Sequence, residues 1–146
     1  RNKWEDNVRN ADALAKVYAS GGTVKDLTSV PCRTTHKNKH QAITILTNPD
    51  TDPQDFITGP KRQEFYNSIM HPELNDVCID GHAYSVWLGE YLPASKAPNI
   101  GKRLRIRIKQ DYHDATTFIN EELGESYITS DIQAITWVTH KRIHNV

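Results

Sequence analysis

The chain has 146 residues, 37% hydrophobic and 25% charged, with eighteen basic side chains against eighteen acidic ones. That is the composition of an ordinary globular domain with a real core, which excludes a disordered or fibrous chain. The cancelled charge also means that any nucleic-acid surface must come from local clustering rather than from the overall field.

The chain opens with Trp4, Val8, Ala11, Leu14, Ala15 and Tyr18 on one face of a 3.6-residue repeat, which Gly21-Gly22 ends, so the first element is a helix. A short helical piece at 24–27 leads to Pro31, and 39–46 is apolar enough at Ala42, Ile43 and Leu46 to be a further helix. Residues 48–53 read as a turn in which Asp52 caps a helix that starts at Pro53. Gly59-Pro60-Lys61 then opens a helix with Phe65 and Ile69 at helical spacing, and Asp80 opens another with Ala83 and Trp87. These two helices are expected to pack against each other.

Beyond Leu88-Gly89, the stretch 91–101 holds Pro93, Pro98 and Gly101 and reads as a long surface loop. Residues 102–109 alternate basic and apolar side chains, a strand-like pattern, but Tyr112, Ala115, Ile119 and Leu123 run on at helical spacing. A helix is therefore expected to begin inside that segment. Ser130 with Gln133 three residues on reads as a capping box for a last helix, whose Ile132, Ile135, Trp137 and Val138 should be mostly buried. The fold class is all-α, a single helical domain over 1–146 with one core.

Cys32 and Cys78 have no Cys-x-x-Cys partner, which speaks against a zinc knuckle or an iron–sulfur cluster and for two free, mostly buried thiols. No cofactor is expected. No apolar run approaches the length of a membrane span, and RNKWEDNVRN is not a signal peptide, so a soluble, cytoplasmic protein is expected.

The candidate chemistry lies at the starts of two helices. Lys61 sits where the helix dipole is positive and disfavours a second positive charge, a setting that favours the neutral amine of a Schiff-base nucleophile; the competing reading is a solvated surface lysine. Asp80 is a natural N-cap, a role that alone would account for a carboxylate at that position. His82 reads as a packing or hydrogen-bonding residue beside that cap. His36 and His40 have the i, i+4 spacing of a metal pair, but the run of which they are part, Arg33 to His40, fits a basic DNA-facing segment through Arg33, Lys37 and Lys39 better than a metal site. Lys102, Arg103, Arg105, Arg107 and Lys109 form a second basic cluster, suited either to phosphate or to plain solvation. Trp87 and Trp137 read as core.

The run from Phe56 to Trp87, FITGPKRQEFYNSIMHPELNDVCIDGHAYSVW, resembles the helix-hairpin-helix DNA glycosylase superfamily. There a glycine-ended hairpin leads into a helix bearing a catalytic Lys, and a Val-Asp-x-His about one helix later carries a catalytic Asp. Ile79-Asp80-Gly81-His82 stands in that place. The usual Leu-Pro-Gly-x-Gly is represented only by Ile57-Thr58-Gly59-Pro60, a departure that divergent archaeal members acting on 8-oxoguanine also show. The whole chain is similar to a group of phage and actinobacterial proteins through Trp4, Asn7, Gly59, Pro60, Lys61, Ile79, Asp80, His82, Ala83, Gln133, Ala134, Ile135 and Trp137.

The resemblance implies an enzyme that flips a base out of double-stranded DNA and excises it, with Lys61 and Asp80 catalytic, Gly59 at the phosphate-binding hairpin, His82 nearby, and AP lyase activity through a Lys Schiff base. The alternative is a phage-type DNA-binding or assembly protein that keeps the scaffold without the chemistry. In the phage pattern a further helix precedes Trp4, so a homo-oligomer or partner chain covering that face is also expected.

Overall fold

The computed structural model describes residues 4–93 and 95–146, and among them every regular element is helical. Eight α-helices follow in order: α1 (Trp4–Ala19), α2 (Val24–Ser29), α3 (His36–Leu46), α4 (Pro53–Phe56), α5 (Pro60–Met70), α6 (Gly81–Leu88), α7 (Lys102–Leu123) and α8 (Thr129–Ile143), with a 3-10 turn at Pro72–Leu74 between α5 and α6. The all-α expectation holds. The chain divides into two compact units, one ending at Thr58 and one running from Gly59 to Val146. Where one core is expected, buried residues gather in two clusters, one in each unit.

In the first unit α1, α2 and α3 pack together and α4 packs on α3, around Leu14, Leu27 and Ile43. The turn after α1 depends on glycine. Gly21 takes φ +83°, the Gly22 N–H reaches back to the Val17 carbonyl at 2.9 Å, and a Cβ on Gly22 would meet Val17 Cγ1 at 2.5 Å. That is a Schellman closure, which supplies donors to carbonyls that the helix leaves bare. Thr23 and Asp26 form a capping box for α2, and Asp52 caps α4 as expected.

In the second unit α8 packs on both α6 and α7, and α5 packs on the 3-10 turn. The core is Val77, Ile79, Ala83, Ile108 and Tyr112. The strand-like alternation in 102–109 resolves as the start of α7. Ile108 is fully buried with Leu104 packed beside its cluster, whereas Ile106 is 58% exposed, the i, i+4 signature of a helix face.

Three expectations need correction. The Ser130/Gln133 capping box does not form: α8 starts at Thr129, and it is Asp131 that accepts the Ile128 N–H, at 3.1 Å. The last helix is not mostly buried, since Ile132 is covered but Ile135, Trp137 and Val138 are exposed. Helix α5 does not present Phe65 and Ile69 to the core either; both are exposed, and the buried residue of α5 is Glu64. Through Phe65 and Ser68, α5 shares a cleft with His82 and Ala83 of α6, as described next.

Candidate active site

Pro60 opens α5 with its fixed φ, and Gly59 before it adopts φ +91°. A Cβ on Gly59 would meet no atom within 4 Å, so backbone conformation rather than crowding calls for glycine there. This places Lys61 in the first turn. Asp80 caps α6: its Oδ1 accepts the N–H groups of His82 and Ala83, each at 2.9 Å. Its other oxygen, Oδ2, lies 3.8 Å from the Lys61 amine, with the lysine side chain 56% and the aspartate 23% exposed. The two candidate catalytic groups are thus brought together, and the division of labour between the two oxygens makes cap and chemistry compatible.

Asp80 lines a cleft of about 360 Å³ together with Phe65, Ser68, Cys78, His82, Ala83, Ser130, Gln133, Ala134 and Trp137. Phe65 and Trp137, both partly exposed, give it aromatic walls. The His82 ring lies 5.3 Å from that of Trp137, so His82 packs as expected. Cys78 is buried and free. Burial first, then the carboxylates of Asp80 and Glu64, push its thiol up to about 12, so at neutral pH it remains protonated and is a poor nucleophile.

The segment 76–80 joins no regular element and pairs with no strand; side chains from three helices meet its backbone groups instead. Val77 N–H goes to its neighbour Asp76 at 2.8 Å, Gln133 of α8 donates to the Cys78 carbonyl at 2.6 Å, and Ile79 N–H donates to Glu64 of α5 at 3.0 Å. Arg105 of α7 donates to the Ile79 carbonyl at 2.8 Å and to Glu64 at 2.5 Å. Lys109 adds 2.5 Å to Asp76 and 3.1 Å to Glu64. Burial alone would raise Asp76, but hydrogen bonds from Lys109, Asn67 and Val77 hold its carboxyl below the ordinary value.

This network corrects part of the basic-cluster reading. Arg105 and Lys109 are engaged inward, not turned to solvent or phosphate, while Arg103 and Arg107 remain exposed. In the first unit Lys39 is likewise engaged, donating to the carbonyls of Thr28 and Val30 at 2.5 Å each. It is a tie at the end of α2. Lys37 and Arg33 are exposed. His36 and His40 line a cleft of about 570 Å³ with Cys32 and Lys37, and among the described residues no group of three or more His, Cys, Asp or Glu is placed to hold a metal.

Glu64, Asp76 and Gln133 are absent from the candidates that spacing suggests. The available signal was an acidic residue one turn after Lys61 and an i, i+4 Arg/Lys pair at 105 and 109. One further constellation, Ser85 with His140, looks like a nucleophile and base but is not. The Ser85 hydroxyl donates to the Glu90 carbonyl at 2.5 Å and accepts the Leu92 N–H at 2.9 Å. At 3.2 Å, His140 Nε2 must then be the donor to it. Burial, with His144 and His82 nearby, holds His140 below its ordinary value.

Among the described residues no helix is long and apolar enough to cross a membrane. No curated protein and no solved structure matches the chain at a significant level. A family described as a family of unknown function (DUF7178) matches residues 1–145, and the chain belongs to it.

Proposed function

We propose that the protein is a DNA base-excision glycosylase with AP lyase activity through Lys61, built on a helix-hairpin-helix scaffold. The observation that carries this reading is the Lys61–Asp80 pair, 3.8 Å apart at two helix starts, with Asp80 on an aromatic-walled cleft. A planar base flipped from the duplex fits such a cleft by stacking on Phe65 and Trp137. As the glycosidic bond breaks, its electron pair leaves with the base, which takes up a proton, and Asp80 stabilises the positive charge left on the sugar. Lys61 passes a proton to Asp80 and forms a bond to C1′ through its neutral nitrogen; ring opening then gives an imine whose acidified C2′ hydrogen permits loss of the 3′ phosphate.

The test is reductive trapping. Borohydride should convert the imine on an abasic or damaged duplex into a covalent protein–DNA adduct, and Lys61→Ala should abolish it. If the wild type traps nothing across oxidised, alkylated, uracil-containing and abasic duplexes yet still shifts DNA, the non-catalytic binding or assembly reading takes its place. The departure Ile57-Thr58-Gly59-Pro60 and the zero net charge are what favour that second reading.

A further inference from the structure

We infer that Glu64 and Arg105 are positioning residues for Asp80. The inference rests on the proposed role of Asp80, and the geometry behind it is a closed ring. Glu64 Oε2 accepts the Ile79 N–H at 3.0 Å, Arg105 Nη1 donates to the Ile79 carbonyl at 2.8 Å, and the two side chains meet at 2.5 Å. The Ile79 carbonyl belongs to the peptide whose nitrogen is that of Asp80, so the ring fixes the plane from which Asp80 departs. The Asp80 N–H is turned back to the Cys78 carbonyl at 3.1 Å. Glu64 also lies one turn beyond Lys61 on α5, so the helix that delivers the amine grips the backbone that delivers the carboxylate.

Stability alone does not explain this arrangement. Both side chains are largely buried, Glu64 at 5% and Arg105 at 13% exposure, and a buried ion pair is often no better than an apolar pair of the same volume. Arg105 moreover leaves its Nε buried with no hydrogen-bond partner, an unmet donor that an apolar side chain would not have. What the pair supplies and an apolar pair cannot is a donor and an acceptor aimed at the two sides of one residue. Lys109 and Asp76 complete the set, two cations against two carboxylates, so the site is held without net charge.

The experiment uses the full chain with Arg105→Lys and with the apolar double variant Glu64→Met/Arg105→Met. Amide hydrogen exchange is read at His82 and Ala83, whose N–H groups are held by Asp80, against Tyr112 in the same core. Single-turnover excision and trapping are read beside it. If the ring positions Asp80, the folded variants exchange His82 and Ala83 at least about tenfold faster while Tyr112 keeps its protection. Excision then falls by about 100-fold in kcat with KM for duplex near the wild-type value, as small misplacements of a reacting group do.

Unchanged protection at His82 and Ala83, or an unchanged kcat in an active protein, overturns the inference. A wild type that excises nothing while the variants lose that protection removes the enzyme reading and leaves the positioning of Asp80 standing. Should the double variant fail to fold, Arg105→Lys, which keeps the charge and loses the planar fork, decides by the same amide readings.

Discussion

Replacing Asp80 by Asn and by Ala separates its two roles. Oδ1 holds two N–H groups at 2.9 Å, one of them on the buried Ala83. Loss of such a cap to Ala costs about 1–2 kcal/mol, whereas Asn caps about as well as Asp. For a chain of this length, each kcal/mol corresponds to roughly 2–4 °C in Tm, so Asp80→Ala should melt about 2–8 °C below the wild type and Asp80→Asn within about 1 °C of it. The Lys61 contact adds little to either figure, because the lysine is 56% exposed and exposed pairs contribute about 0–1 kcal/mol. Catalysis should divide the other way: Asn supplies no negative charge, and losing a preorganised electrostatic group lowers kcat by about 100- to 1,000-fold. Circular-dichroism melts and single-turnover excision decide the matter. An Asn variant that melts as low as Ala, or one that excises like the wild type, would refute the two-oxygen division of labour.

Changing Arg103 and Arg107 together to Ala should weaken binding to all duplex sequences alike and flatten the salt dependence, measured by fluorescence anisotropy from low to high salt; a loss confined to one sequence would contradict a phosphate role. Because the Asp76 carboxyl is held below its ordinary value in the folded state, it contributes stability at pH above the unfolded carboxylate range, and that contribution disappears as pH falls through the folded value. Acid titration should therefore unfold Asp76→Asn less steeply than wild type below about pH 4, with the variant already less stable at neutral pH; parallel curves would show that Asp76 does not carry the linkage.

The helices were legible because their ends are local events. Asp52, Asp80, Pro53 and Pro60 act within one turn, and each does what its type and place dictate. The candidate pair was legible for the same reason, since a lysine and an aspartate at two helix starts can be read without knowing how the helices meet. Which stripe of α5 turns inward was not legible. Phe65 and Ile69 share a face by spacing, but spacing names a stripe and not its direction, and the buried side of α5 is set by Glu64 meeting Arg105, forty-one positions away. Gln133 was misplaced by the same limit: a glutamine three residues after a serine fits a local cap, while its partner is the carbonyl of Cys78, fifty-five positions away. The basic run of α7 combined both cases, because a charged residue outside the core and one paired within it look alike until the partner is known.

The segment before Asp80 has a consequence for how the chain behaves in company. Val-Cys-Ile is β-prone and uncharged, and in most proteins such a stretch either joins a sheet or offers an open edge on which other chains can assemble. Here the Val77 and Ile79 amides and the Cys78 and Ile79 carbonyls are already occupied by Asp76, Glu64, Gln133 and Arg105. Val77, Cys78 and Ile79 are buried as well, so the folded protein presents no open edge there for intermolecular β-growth, and the hazard is confined to the time before α5, α7 and α8 have closed around it. Variants that loosen those side chains should be recognised first by aggregation during refolding, at protein concentrations the wild type tolerates.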